Sequence, residues 1–89
     1  MLVRYFAAAC AATGVNEEHF DLPEGTTLEG LVAAMLAVER SVERSAGTHS
    51  LAGVVPRCSF LRNQTALRDR SGALKPGEVI DVLPPFAGG

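Results

Sequence analysis

The residues best placed to do chemistry are the last six, Pro84-Pro85-Phe86-Ala87-Gly88-Gly89. Neither proline can donate a ladder hydrogen bond, so the pair ends any preceding strand and stiffens the chain into an extended path. A segment of this length reaches roughly 20 Å. Phe86 supplies an apolar anchor. Gly88 and Gly89 carry no side chains, so their backbone can enter a channel too tight for a Cβ. The group at the end is a carboxylate, with an ordinary pKa of about 3.3–3.7 and hence ionised at neutral pH. Its chemistry is nucleophilic attack on an activated phosphate to give an acyl-adenylate, which a sulfur donor converts to a thiocarboxylate or an amine to an amide. No side chain of the chain itself is needed for any of these steps. A Gly-Gly end arises by chance in roughly 1 chain in 200. The proline exit and the strand before it make the pattern far more specific.

Other candidates carry less. His19 and His49 stand alone and read as surface polar groups, and Cys10 and Cys58 fit no metal-ligand spacing. Both thiols are expected free, in a reducing compartment. There is no Ser-His-Asp grouping, phosphate-binding glycine loop or metal cluster, so neither catalytic side chains nor a metal are expected. The eight basic residues are scattered, and the net charge is −2. Phosphate neutralisation by a basic face is therefore not expected, which argues against nucleic acid and for a protein partner. The apolar stretches are far shorter than the ~20 residues that span a bilayer, and the N-terminus does not read as a signal peptide. No membrane association and a cytoplasmic location are expected.

The elements needed to hold such a tail can be read along the 89 residues, a length for one domain. Leu2–Phe6 alternates as a strand. Ala7–Thr13 is alanine-rich and stops at Gly14, predicting one or two helical turns. A second strand lies within 15–22, ends at Phe20 and Leu22, and can pair antiparallel with the first; Pro23-Glu24-Gly25 turns the chain. The main helix begins near Thr27, with Thr26 and Glu29 as a capping box. Leu28, Leu31, Val32, Met35 and Leu36 form its apolar stripe, and Gly47 closes the pattern. Residues 45–55 form a connection with a short helical turn near Leu51. Arg57–Arg62 alternates as a strand, Asn63-Gln64 turns into a short strand at Thr65–Leu67, and Lys75–Glu78 makes a tight turn. Val79–Leu83 is apolar and β-branched, as a central strand would be. The order predicts an α+β fold with one main helix on one sheet face, residues 1–83 forming the domain and 84–89 an extended tail.

Leu83-Pro84-Pro85-Phe86-Ala87-Gly88-Gly89, Val3-Arg4-Tyr5-Phe6-Ala7 and Leu22-Pro23-Glu24-Gly25-Thr26-Thr27-Leu28 together resemble the MoaD/ThiS family of ubiquitin-like sulfur carriers. Within it, the likeness is greatest to the small subunits of molybdopterin synthase. The resemblance covers essentially the whole chain and implies a β-grasp fold with a mixed sheet of about five strands. It implies that Gly89 is adenylated by a MoeB-like enzyme using ATP. A sulfur donor protein then converts Gly89 to 1-thioglycine, and no cofactor is bound by the chain. The tail then enters a MoaE-like large subunit, in a heterotetramer, and gives its sulfur to cyclic pyranopterin monophosphate for molybdenum cofactor biosynthesis. The catalytic groups reside on that partner. Gly88 passes the constriction, while Phe86, Ala87, Pro84 and Pro85 seat the tail. Two departures stand out: Cys10 occupies a position often basic in the family, and residues 45–55 are longer than in compact relatives.

Three other readings share parts of this pattern. The same fold and Gly-Gly end serve carriers for thiamine, cysteine or tRNA thiolation. A ubiquitin-like modifier would join Gly89 to lysines. An interaction module would leave the tail idle.

Overall fold

The computed structural model of the chain describes residues 1–39 and 50–85. Strands β1 (Leu2–Tyr5), β2 (Glu17–His19), β3 (Ser59–Arg62), β4 (Thr65–Ala66) and β5 (Val79–Leu83) form one sheet in the order β2-β1-β5-β3-β4. β5 is central, parallel to β1 and antiparallel to β3, while β1 and β2 pair antiparallel. This is the mixed five-stranded β-grasp arrangement expected from the sequence, with the main helix laid across one face.

The buried face of the sheet follows from the period-2 alternation of the strands. Val3, Tyr5, Phe60, Ile80 and Val82 point toward the helices, and Leu28, Leu31 and Met35 of helix α2 (Leu28–Ala37) pack against them in one core. Burying a side chain of this size contributes about 1.5–3 kcal/mol each. Leu31, Met35 and Ile80 are the residues whose truncation would hurt most, since they are wholly enclosed.

Helix α1 (Ala7–Thr13) runs over the predicted residues and ends as predicted. Gly14 takes φ +78° and its amide donates to the Cys10 carbonyl at 2.8 Å, a left-handed cap that a Cβ would disfavour. The predicted turn near Leu51 is helix α3 (Leu51–Val54), capped by Ser50, whose Oγ accepts from the Gly53 amide.

Three expectations need correction. The cap of α2 is Thr27, not Thr26: the Thr27 hydroxyl accepts from the Gly30 amide at 3.4 Å. Thr26 is committed elsewhere, its hydroxyl donating to the Pro23 carbonyl at 2.6 Å to lock the preceding turn. The capping box with Glu29 is therefore not the one read from the sequence. The helix also stops at Ala37, where Val38 turns extended, rather than running toward Gly47, which lies outside the described residues. Leu36, assigned to the apolar stripe, is 44% exposed. Helices in proteins are held mainly by tertiary packing, and past Met35 α2 has no core left to cover. Finally, Arg57 belongs to a 3-10 turn (Val55–Arg57) and the strand begins at Ser59, because Pro56 lacks the amide a ladder would need.

Candidate functional site

Residues 84–89 follow directly on β5, the central strand of the sheet. Flanked by β1 and β3, β5 has no freedom to shift register. Val82 sits opposite Tyr5 on one side and Phe60 on the other, and Leu83 opposite Ser59. The Phe6 amide donates to the Val82 carbonyl at 3.2 Å, beyond the last paired residue of β1. Past Leu83 come Pro84, half-buried, and Pro85, exposed. With no amide hydrogen on either, the chain is released from the ladder at this point. Phe86, Ala87, Gly88 and Gly89 lie outside the described residues.

The face of the sheet opposite the helices surrounds this exit. Leu2, Arg4, Val79, Asp81, Leu83 and Leu61 belong to it by alternation, each half-buried except Asp81. Asp81 is 3% exposed although it faces the open side. Its burial comes from Arg4, which lies over it in a bidentate fork: Nε donates to Oδ1 at 2.5 Å and Nη2 to Oδ2 at 2.8 Å. The bond to Asp81 stabilises the charged guanidinium and raises its already high pKa. Arg4 also lies 6.0 Å from the centre of the Phe6 ring, which is 40% exposed at the root of the tail. A surface of Leu2, Leu61, Val79 and Leu83 around one ion pair, with Glu17 and His19 of β2 on the same face, thus adjoins the end of β5.

Sequence reasoning placed Pro84 and Pro85 at the end of β5 and missed the Arg4–Asp81 pair and exposed Phe6. One signal was available: an aspartate interrupting the otherwise apolar Val79-Ile80-Asp81-Val82-Leu83 needs a cation, and Arg4 is the one basic residue in the first strand.

The remaining candidates are dispersed. His19 is exposed on β2, and His49 lies outside the described residues. The Cys10 thiol donates to Asn16 Oδ1 at 3.2 Å, tying α1 to the start of β2 where a basic residue was expected. Cys58 is buried in the core, donates to the Val54 carbonyl, and has its thiol pKa pushed up by burial. Both cysteines are free. Among the described residues no three His, Cys, Asp or Glu are grouped to hold a metal ion, and no helix is long and apolar enough to cross a membrane.

The sequence profile of the ThiS family matches residues 3–89. The chain belongs to the ThiS family. It is 33% identical over 88 residues to the molybdopterin synthase sulfur carrier subunit of Chlamydomonas reinhardtii, a match spanning 98% of this chain and 95% of that relative. In fold, this ThiS-family chain is similar to the crystal structure of SAMP1 from Haloferax volcanii. There the TM-score is 0.73 at 20% identity, covering 100% of this chain and 98% of the other. It is also similar to a chain in the protein–protein complex of subunits 1 and 2 of molybdopterin-converting factor from Helicobacter pylori. That TM-score is 0.61 at 24% identity, covering 99% of this chain and 96% of the other. The ThiS-family match includes the whole tail.

Proposed function

We propose that this chain is the sulfur carrier subunit of a molybdopterin synthase, with residues 84–89 as its working tail and Gly89 as the sulfur-bearing residue. The observation that carries the reading is the release of the central strand at Pro84, beside an open sheet face, in a chain whose family match runs through Gly89. The Chlamydomonas relative, similar over nearly its full length, supports the molybdopterin branch over thiamine, cysteine or tRNA thiolation.

The chemistry balances without a side chain from the carrier. The Gly89 carboxylate attacks the α-phosphorus of ATP on a MoeB-like enzyme, forming the acyl-adenylate and expelling pyrophosphate. A sulfur donor protein delivers a sulfide equivalent to the acyl carbon, AMP departs, and a thiocarboxylate remains. In a MoaE-like large subunit, that sulfur passes to cyclic pyranopterin monophosphate, and water supplies the oxygen that returns Gly89 to a carboxylate. The Helicobacter complex of two converting-factor subunits, built around a similar fold, supports a large-subunit partner. A heterotetramer and a cytoplasmic location complete the proposal.

The domain's part is positional. The open face supplies a docking surface, and the fixed register of β5 sets where the tail begins. Pro84 and Pro85 limit its directions, Phe86 and Ala87 seat it, and Gly88 passes the narrowest point.

Intact mass measurement after incubation with the activating enzyme, ATP and a sulfur donor tests the reading. The expected result is replacement of one oxygen by sulfur at the C-terminus. Removing Gly89, or appending a C-terminal tag, abolishes that change while leaving the thermal midpoint unaltered. Unchanged cofactor synthesis in cells that carry only the Gly89-deleted chain overturns it.

A further inference from the structure

The net charge of −2 conceals a separation of charge across the sheet. On the β2 side, residues 15–24 hold Glu17, Glu18, Asp21 and Glu24 and neither lysine nor arginine. On the β3–β4 side, residues 57–75 hold Arg57, Arg62, Arg68, Arg70 and Lys75 against Asp69 alone. Arg62 is neutralised by Glu78, and Arg4, at the centre, by Asp81. Asp69 is turned inward on its own loop, accepting from the amide and hydroxyl of Ser71. Among the described residues Arg57, Arg68, Arg70 and Lys75 form no ion pair, and all are exposed.

One of these cations, Arg70, lines an open groove of about 260 Å³ between α2, the 3-10 turn and β3. Leu28 and Phe60 make its buried floor, and Val32, Val55 and Pro56 its apolar walls. Arg70 closes one side with its guanidinium 5.4 Å from the centre of the Phe60 ring. Glu29 is the one acid in the lining. The groove opens on the helix-covered side of the sheet, away from Arg4, Asp81 and the open face at the tail exit.

We propose that this groove docks an acidic segment of a partner protein, one apolar side chain seated between Val32 and Pro56 and a flanking carboxylate facing Arg70. An apolar floor beside Arg70, which has no ion pair among the described residues, matches that combination. A bare anion would leave the apolar walls unused, and nucleic acid would meet an acidic molecule overall. The site lies on the sheet face opposite Arg4 and Asp81, so it can be filled while that open face is engaged.

The test is titration of the whole, isotope-labelled chain, followed by amide NMR shifts, with a hexapeptide of two central leucines flanked by glutamates. The expected shifts fall at Val32, Val55, Phe60 and Arg70. Arg70→Glu weakens binding about tenfold, the scale of one reversed charge contact, and Glu29→Gln strengthens it. Arg70 is exposed, and an unchanged circular dichroism spectrum confirms that the variant folds. The proposal fails if the peptide does not bind, if a lysine-flanked peptide binds equally well, or if Arg70→Glu leaves affinity unchanged. It also fails if the shifts map to Leu2, Arg4 and Leu61. Displacement of the peptide by a short RNA would reassign the site to nucleic acid. Peptide-independent shifts that grow with protein concentration would reassign it to a second copy, through the acidic β2 edge. Neither the activating enzyme nor ATP is present, so failure here leaves the sulfur-carrier reading untouched, and failure of sulfur loading leaves the groove untouched.

Discussion

At its Val79 end, β5 is held by a dense set of side-chain hydrogen bonds; at its Leu83 end, among the described residues, it is held by backbone pairing. The Glu78 carboxylate accepts from Arg62 Nε at 2.5 Å, from Asn63 Nδ2 at 3.1 Å and from the Lys75 amide at 2.5 Å. Asn63 answers with its own side chain, Oδ1 accepting from the Val79 amide at 3.0 Å. One carboxylate thus ties the β3–β4 turn to the turn that launches β5. Four residues further on, the Phe6 amide reaches the Val82 carbonyl at 3.2 Å, Leu83 pairs with Ser59, and two prolines follow. Anchoring at one end permits release at the other: a strand fixed at its start and along both sides presents its end from a defined place.

The largest effect on stability is expected at the anchored end. Glu78→Ala leaves the Lys75 amide and Asn63 side chain without their acceptor and destabilises the fold by about 2–3 kcal/mol, read as the midpoint of urea unfolding. Arg62, hydrogen-bonded to Glu78, lowers the pKa of that carboxylate, with the Lys75 amide and Asn63 adding to the effect against desolvation. A carboxylate with a depressed folded-state pKa adds stability above its unfolded value, near 4.3 for glutamate. That contribution fades as pH falls through the lower, folded value. Wild-type protein should therefore lose stability on acidification below about pH 4.3, and Glu78→Gln should flatten that part of the profile. An equal acid slope in the two proteins would assign the contribution to other carboxylates.

At the other end the comparison is sharpened by Ala7, the first residue of α1, held at φ +50° beside Phe6. A left-handed conformation costs a residue with a Cβ about 1–2 kcal/mol. Ala7→Gly should remove most of that, offset by the greater freedom of glycine in the unfolded chain, for a net gain of no more than about 1 kcal/mol. A loss of stability on calorimetry would show that the strain is not there. The smallest effect on folding belongs to the prolines. The double change Pro84→Gly and Pro85→Gly shifts stability by no more than about 0.5 kcal/mol, yet it slows sulfur loading because the tail samples more directions. Stability loss comparable to that of Glu78→Ala would instead make the prolines part of the fold.

The sequence was most informative where structure is local. The alanine run ending at Gly14, the helical stripe through Leu28, Leu31 and Met35, the Asn63-Gln64 turn and the proline exit each declare themselves within a few residues. Asn63 and Gln64 both take positive φ, 50° and 69°, the conformation that suits the twist of a tight hairpin. The cap of α2 was misplaced by one residue because two adjacent threonines offer the same chemistry, and only the tertiary turn decides which hydroxyl is spent on Pro23. The end of α2 was misplaced because apolar residues continue past the point where there is a sheet to cover. What the sequence did not disclose is what topology assembles: Arg4 and Asp81 are 77 positions apart, and the groove draws on three separate segments.

The central place of β5 has a consequence for the order in which the protein can be made. The strand that bridges β1 to β3 is the last of the five to be synthesised. Until Val79–Leu83 have emerged, β1 and β3 have no common neighbour and the sheet cannot close. Contacts as distant as Arg4 with Asp81 also make folding slower than local pairing would allow. Tail and keystone therefore arrive together, within a few residues of each other. A chain that stops before Val79 lacks the strand that joins β1 to β3, and with it the closed sheet.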